Sequence, residues 1–371
     1  MNDPTSSKIH VTKTVLPPLD EYTSLLAGVW ERSWVTNNGP LVRELETRLA
    51  ASLGVERCLY VSNGTVALQL AIRALGLTGS VITTPFSYVA TTNAILWENL
   101  EPIFVDITAD SYNLDPAAIA AAVRPDTTAI LATHVYGYPC DDRALRAVAE
   151  QHGLRVIYDA AHAYGVELGG QSVLELGDVS TLSFHATKVF HTIEGGGVIS
   201  PRAALREHLE LMRSFGHTGR EYHCLGLNAK TSELHAGVGL LNLPRYAQDH
   251  AARRRHSERY WAELAPLPLA PYTPADYGRD DLHYNYAYLP VRLASEAERE
   301  RVVARLEAAG IYPRRYFEPS LNELPFLRAD QQRPCPNSEA ASRTVLCLPL
   351  YVDLTDEEQG RVIRALQSCY A

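Results

Sequence analysis

Lys188 stands in the run Ser183-Phe184-His185-Ala186-Thr187-Lys188-Val189-Phe190-His191, with Glu194 and then Gly195, Gly196 and Gly197 behind it. An amine among apolar neighbours gives up its proton more readily, and a neutral amine can condense with a carbonyl as a Schiff base. Val179 to Phe184 reads as a short buried strand, which puts Lys188 just past a strand end. The three glycines are expected to let backbone pass close to a flat ligand where a Cβ would collide. The same run also reads as an ordinary loop lysine beside a flexible turn, and on its own it leaves both readings open.

Other residues could share that chemistry. Cys58 to Val61 reads as a strand, followed by Ser62-Asn63-Gly64-Thr65 and an alanine- and leucine-rich helix that ends at Gly76. Backbone N–H groups at such a helix start can hold an anion, or the turn is simply a capped helix. No Walker lysine follows, which excludes an NTP-hydrolysing P-loop. Asp159 ends another strand, where it is either a ligand-facing carboxylate or a helix cap. Tyr88, His162 and Ser183 each have a bland alternative as core aromatic, core histidine and backbone-bonded strand hydroxyl.

The elements that must position these residues alternate along the chain. Leu41, Leu45, Leu49 and Leu53 recur every four residues before Gly54, as in an amphipathic helix with its stop signal. Strands are expected at Val81–Thr84, Pro102–Val105, Thr128–Thr133 and Arg155–Tyr158. Helices are expected after Pro85-Phe86-Ser87-Tyr88 to about Trp97, from Pro116 with Asp115 as its cap, and over Asp141–His152. Repeated βα units imply an α/β fold, a mostly parallel sheet between helices, with its ligand at the carboxyl ends of the strands. From Tyr246 a long polar helix begins, and its Arg253-Arg254-Arg255 run reads as a solvated face. Pro266 to Pro271 breaks it, Tyr284–Arg292 reads as an alternating strand, and Ser295/Glu298 and Thr355/Glu358 read as capping boxes. The expected division is an arm over 1–18 that needs a partner surface, a large domain over 19–245, and a small α+β domain over 246–371.

The 371 residues carry 21% charged and 46% hydrophobic side chains, ordinary for an enzyme with a large core. A net charge of −9 argues against nucleic acid as the main partner. No apolar run is long enough to span a membrane, and the polar first residues lack a signal-peptide core. The six cysteines are scattered without a Cys-x-x-Cys pair, so neither zinc nor disulfides are expected, and the cytoplasm is the expected compartment.

Taken together, the strand-end residues match one ligand. A carboxylate can hold a protonated pyridine nitrogen, a lysine can bind an aldehyde, a Gly-Thr helix start and a serine can bind phosphate, and an aromatic can stack on a ring. That ligand is pyridoxal phosphate.

The chain resembles the DegT/DnrJ/StrS sugar aminotransferases, which are fold-type I pyridoxal phosphate enzymes. The resemblance runs through Ser62-Asn-Gly-Thr-Val-Ala-Leu, Thr84-Pro-Phe-Ser-Tyr-Val-Ala-Thr, Asp159-Ala-Ala-His-Ala, Ser183-Phe-His-Ala-Thr-Lys and Glu194-Gly-Gly. It continues through Gly226-Leu-Asn228-Ala-Lys230, Arg314-Arg315-Tyr316-Phe and Leu348-Pro-Leu-Tyr. It implies that Lys188 carries the cofactor and shuttles a proton, and that Asp159 pairs with the pyridine nitrogen. Gly64, Thr65 and Ser183 would hold the phosphate, and Tyr88 would stack on the ring. His162 falls where many members have glutamine, which puts its bond to the cofactor in question. Asn228 is expected at the phosphate of a neighbouring subunit in a homodimer with shared sites, and Lys230, Arg314, Arg315 and Tyr316 at the sugar nucleotide. The implied reaction takes nitrogen from an amino acid, glutamate by expectation, to a nucleotide-linked keto-deoxysugar. The run around Lys188 looks most like enzymes that make dTDP-4-amino-4,6-dideoxyglucose. A C-3 transaminase, a pyridoxamine-dependent dehydratase and a non-enzymatic regulator of the same fold are the alternatives. Lys188 speaks against the dehydratases, which are known for histidine at that position.

Overall fold

The computed structural model describes residues 8–370. At its centre lies a seven-stranded sheet. Across it the strands run Leu59–Val61, Gly196–Ile199, Val179–Ser183, Arg155–Asp159, Thr127–Thr133, Ser80–Thr83 and Glu101–Phe104. The last five are parallel to one another, and only Gly196–Ile199 runs against its neighbours.

The side-chain period of two explains how both faces are covered. Ala129 and Leu131 join one apolar cluster with the helix Gly64–Ala74, while Ile130 and Ala132 join another with the helix Asp142–His152. Leu41, Leu45, Leu49 and Leu53 are all buried on the helix Pro40–Leu53. The N-terminus of that helix is capped from far away: the buried Glu233 carboxylate accepts from Leu41 N and Val42 N, both at 2.9 Å.

A long helix, Tyr246–Leu264, leads to a smaller body. There Glu296–Ala308 and Asp356–Gln367 pack beside a three-stranded sheet of Ala270–Pro271, Pro290–Arg292 and Val345–Cys347. The Thr355/Glu358 capping box is complete.

Several expectations need correction. The strand expected over Tyr284–Arg292 survives only at Pro290–Arg292, because Tyr286 takes a left-handed φ of 52° and turns the chain back to the large domain. Ser295 does cap Glu298 N, but Glu298 reaches the N–H of Ala294 instead of that of Ser295, so the box is displaced by one residue. Arg253 is not solvated. It is buried and donates to the Leu350 carbonyl at 3.2 Å, whereas Arg254 and Arg255 are exposed.

The first seven residues of the expected arm lie outside the described residues. The rest of it packs on its own chain. Ile9–His10 pairs in parallel with Ile311–Tyr312, and the Val15 carbonyl lies 2.9 Å from His191 Nε2. Thr14 Oγ1 donates to the Ala186 carbonyl at 3.1 Å, so this segment spans from the small body to the loop of Lys188.

Candidate active site

Asp159 is the last residue of its strand, level with Thr133 on one side and Thr181 on the other. It is 5% exposed, and each of its oxygens accepts one bond, Oδ2 from Thr91 Oγ1 at 2.7 Å and Oδ1 from Ala161 N at 3.1 Å, which leaves acceptor capacity on both. Burial raises its pKa above the ordinary carboxylate value, opposed by those two bonds and by Lys188. Thr91 is held in turn by Ser87 at 2.8 Å, and Ser87 accepts from Thr133 at 3.1 Å. This buried hydroxyl chain was not anticipated. Ser87 precedes the helix Ala90–Trp97 that carries Thr91, and the hydroxyls at the start of that helix were the available signal.

Lys188 sits in the loop after the next strand, which Phe184 closes at both ends. The Phe184 N–H donates to the Gly195 carbonyl at 2.8 Å, and the Phe184 carbonyl accepts from Thr192 N at 2.9 Å. Desolvation brings the amine down to about 8, with Asp159 pulling in the opposite direction. Nζ donates to Tyr288 Oη at 3.4 Å.

Asp159 and Lys188 line one cavity of about 630 Å³ together with Gly64, Thr65, Tyr88, His162 and Ser183. Asn63 caps the helix through Val66 N at 2.9 Å, and geometry leaves the Gly64 and Thr65 N–H groups without partners inside the helix. A Cβ on Gly64 would stand 3.0 Å from the Ser183 Cβ. A side chain there would close the space between helix start and serine hydroxyl.

The glycine run has a different reason from the one expected. Gly195, Gly196 and Gly197 are not among the residues that line the cavity. A Cβ on Gly196 would meet the Asn63 carbonyl carbon at 2.6 Å and Gly64 N at 2.9 Å; one on Gly195 would meet Thr192 Oγ1 at 2.2 Å. Gly196 makes room for the chain's own backbone behind the Asn63–Gly64 turn.

His162 accepts from Tyr136 N through Nδ1 at 3.3 Å, which places its proton on Nε2. Its ring stacks on Phe317 at 5.4 Å and meets the edge of Tyr288 at 4.9 Å. Burial, and then Lys188, hold its pKa well below the usual histidine value, so it is neutral. Tyr88 is 60% exposed at the mouth, where a second cavity of about 740 Å³ adjoins.

Arg314, Arg315 and Tyr316 line that second cavity. Arg315 is engaged by Glu300 at 2.7 Å and Glu318 at 3.4 Å. Arg314 is exposed, with no carboxylate at ion-pair distance among the described residues. Asn228 and Lys230 line neither cavity: Asn228 is exposed, and Lys230 Nζ lies 4.3 Å over the Phe215 ring. Tyr288 and Phe317 reach the site from the C-terminal part of the chain and were not anticipated.

Fold and site together define an α/β aminotransferase. The chain belongs to the DegT/DnrJ/EryC1/StrS aminotransferase family, whose profile matches residues 20–367. It is 37% identical to a dTDP-4-amino-4,6-dideoxy-D-glucose transaminase of Shigella dysenteriae over 94% of this chain and 95% of the relative. The identity is again 37% to the protein of that name from Escherichia coli, over 99% of both chains. The crystal structure of DesI in the presence of its TDP-sugar product superposes with a TM-score of 0.93 at 35% identity, covering 99% of this chain and 94% of that one.

Proposed function

We propose that this chain transfers an amino group from glutamate to dTDP-4-keto-6-deoxyglucose, giving dTDP-4-amino-4,6-dideoxyglucose, with pyridoxal 5'-phosphate as cofactor. The observation that carries the reading is a lysine amine lowered to about 8 in one cavity with a buried carboxylate and an open anion cradle. At pH 7 such an amine is neutral about 10% of the time, roughly 300-fold more than an unperturbed lysine. The names and lengths of the relatives support the choice of sugar.

Gly64 and Thr65 N–H groups and the Ser183 hydroxyl would hold the phosphate. Asp159 would accept from the pyridine nitrogen and favour its protonated form, and Tyr88 and His162 would pack against the ring. When bound, the cofactor would supply an aldehyde and an electron-withdrawing cationic ring. Lys188 would supply the amine that binds that aldehyde and, when free, would take up and give back a proton at Nζ.

Asn228 is exposed and outside its own cavity, next to the exposed Phe215, Tyr222 and Leu225. An apolar patch of this kind marks a contact surface. We therefore place Asn228 and Lys230 at the site of a partner subunit in a homodimer, and assign Arg314 to the substrate diphosphate. The cytoplasm remains the proposed compartment.

The test is to incubate purified protein with glutamate and a panel of nucleotide-linked 3-keto and 4-keto sugars, identifying products by mass and NMR. Amination of dTDP-4-keto-6-deoxyglucose at C-4 is expected. Amination only of 3-keto sugars would replace the reading by the C-3 alternative, and no amination of any sugar would leave the regulator.

A further inference from the structure

The segment from Tyr284 to Leu289 has the alternation of a strand and does not form one. Asn285 pins it, donating from Nδ2 to the His162 carbonyl at 2.8 Å and the Tyr164 carbonyl at 3.0 Å, and accepting from Ala287 N through Oδ1 at 3.1 Å. Tyr286 then takes a left-handed backbone, which a bulky residue adopts only when its surroundings impose it. The outcome is that Tyr288 leaves the sheet register and places its phenol 3.4 Å from Lys188 Nζ. Departures of this kind from local preference concentrate at functional sites.

Lys188 faces Asp159 from the sheet, His162 from the following loop, Tyr288 and Tyr316 from the small body, and His185 and Glu194 at the mouth. Among them only the Tyr288 oxygen makes a hydrogen bond with Nζ. The ammonium form of Lys188 has three N–H donors, and burial keeps the proton on the Tyr288 phenol, so Nζ donates one N–H to its oxygen. A fixed acceptor on one N–H limits the directions open to the other two.

We propose that Tyr288 is a positioning residue for the Lys188 amine, holding its ammonium form by one N–H so that another N–H is aimed along the direction of proton transfer. The catalytic part of this inference rests on the aminotransferase reading; the contact itself does not. It also ties proton transfer to the small body, since Leu289, the next residue, accepts from Leu348 N through its carbonyl at 3.0 Å.

Two measurements on Tyr288→Phe test it. In cofactor-free protein, the pH midpoint for acylation of Lys188 is read by peptide mass spectrometry. An acceptor favours the ammonium form, so its loss should lower the midpoint by about half a unit or more. In the holoenzyme, the first-order rate of the half-reaction with glutamate should fall about tenfold while the donor KM holds. Circular dichroism confirms the fold. An unchanged midpoint overturns the contact, and a shifted midpoint with an unchanged rate overturns its role in proton transfer. A shifted midpoint with no half-reaction in either protein leaves the contact standing and sinks the aminotransferase reading instead.

Discussion

Gly196→Ala probes the Asn63–Gly64 turn from behind, by changing a residue that does not itself line the cavity. Gly196 does not have a left-handed φ, so alanine is permitted there, and the loss of unfolded-state freedom alone favours it by about 0.4–1 kcal/mol. Packing decides the sign. The new Cβ would lie 2.6 Å from the carbonyl carbon of Asn63 and 2.9 Å from Gly64 N. Carbon atoms settle at about 3.5 Å or more, so the Asn63–Gly64 peptide must retreat by roughly 0.9 Å. The obstructing atoms are backbone, with no flexible side chain to swing away. Overpacking of this kind costs about 1–3 kcal/mol, which outweighs the entropic gain. The displaced peptide carries the Gly64 N–H, one of the two backbone donors assigned to the phosphate, and charge-assisted bonds weaken steeply with distance. We expect pyridoxal phosphate to bind about 10- to 100-fold more weakly, with pyridoxal, which lacks the phosphate, nearly unaffected. Absorbance titration of both ligands against wild type and variant gives the ratio. An unchanged ratio in a folded variant would refute the assignment of the cradle.

Lys188→Ala should lose the borohydride-trappable cofactor adduct and all transamination while staying folded; a surviving adduct would name another lysine. Asp159→Asn should slow turnover by several orders of magnitude with far less effect on stability, because the amide does not hold the pyridine proton. Near-normal turnover would reduce Asp159 to a structural strand end. Mixing inactive Lys188→Ala chains with inactive Asn228→Ala chains should restore activity, since shared sites gather both defects into one site and leave the other intact. No recovery after verified subunit exchange would show that each site is built within one chain.

Lys188, Asp159, Ser183 and Gly64 were legible because each stands at a strand end, where local pattern and chemistry coincide. The parallel sheet was legible for the same reason, from its βα alternation. The glycine run was read as room for a ligand because its true neighbour, Asn63, is distant in sequence and adjacent only through the pairing of Gly196 with Val61. Tyr288 was hidden by a misleading period: Tyr284, Tyr286 and Tyr288 look like one face of a strand until Asn285 and the left-handed Tyr286 break it. Arg253 was taken for a surface charge because the carbonyl it serves, that of Leu350, belongs to a segment far along the chain. In each case the deciding partner is remote, and local propensity carries no information about it.

The edge of the sheet also fixes an order of assembly. Leu59–Val61, made early during synthesis, has Gly196–Ile199 as its only neighbour in the sheet among the described residues, and the Ser62 amide donates to the Ala229 carbonyl at 2.8 Å. The strands between them can associate beforehand, as successive βα units do, but the turn assigned to the phosphate cannot be completed until those later segments arrive. Non-local closure of this kind is slow. We therefore expect a nascent or refolding chain to acquire this turn among the last parts of the large domain. Added cofactor then retains molecules that have already closed the sheet, raising the yield of native protein without hastening the steps that precede closure.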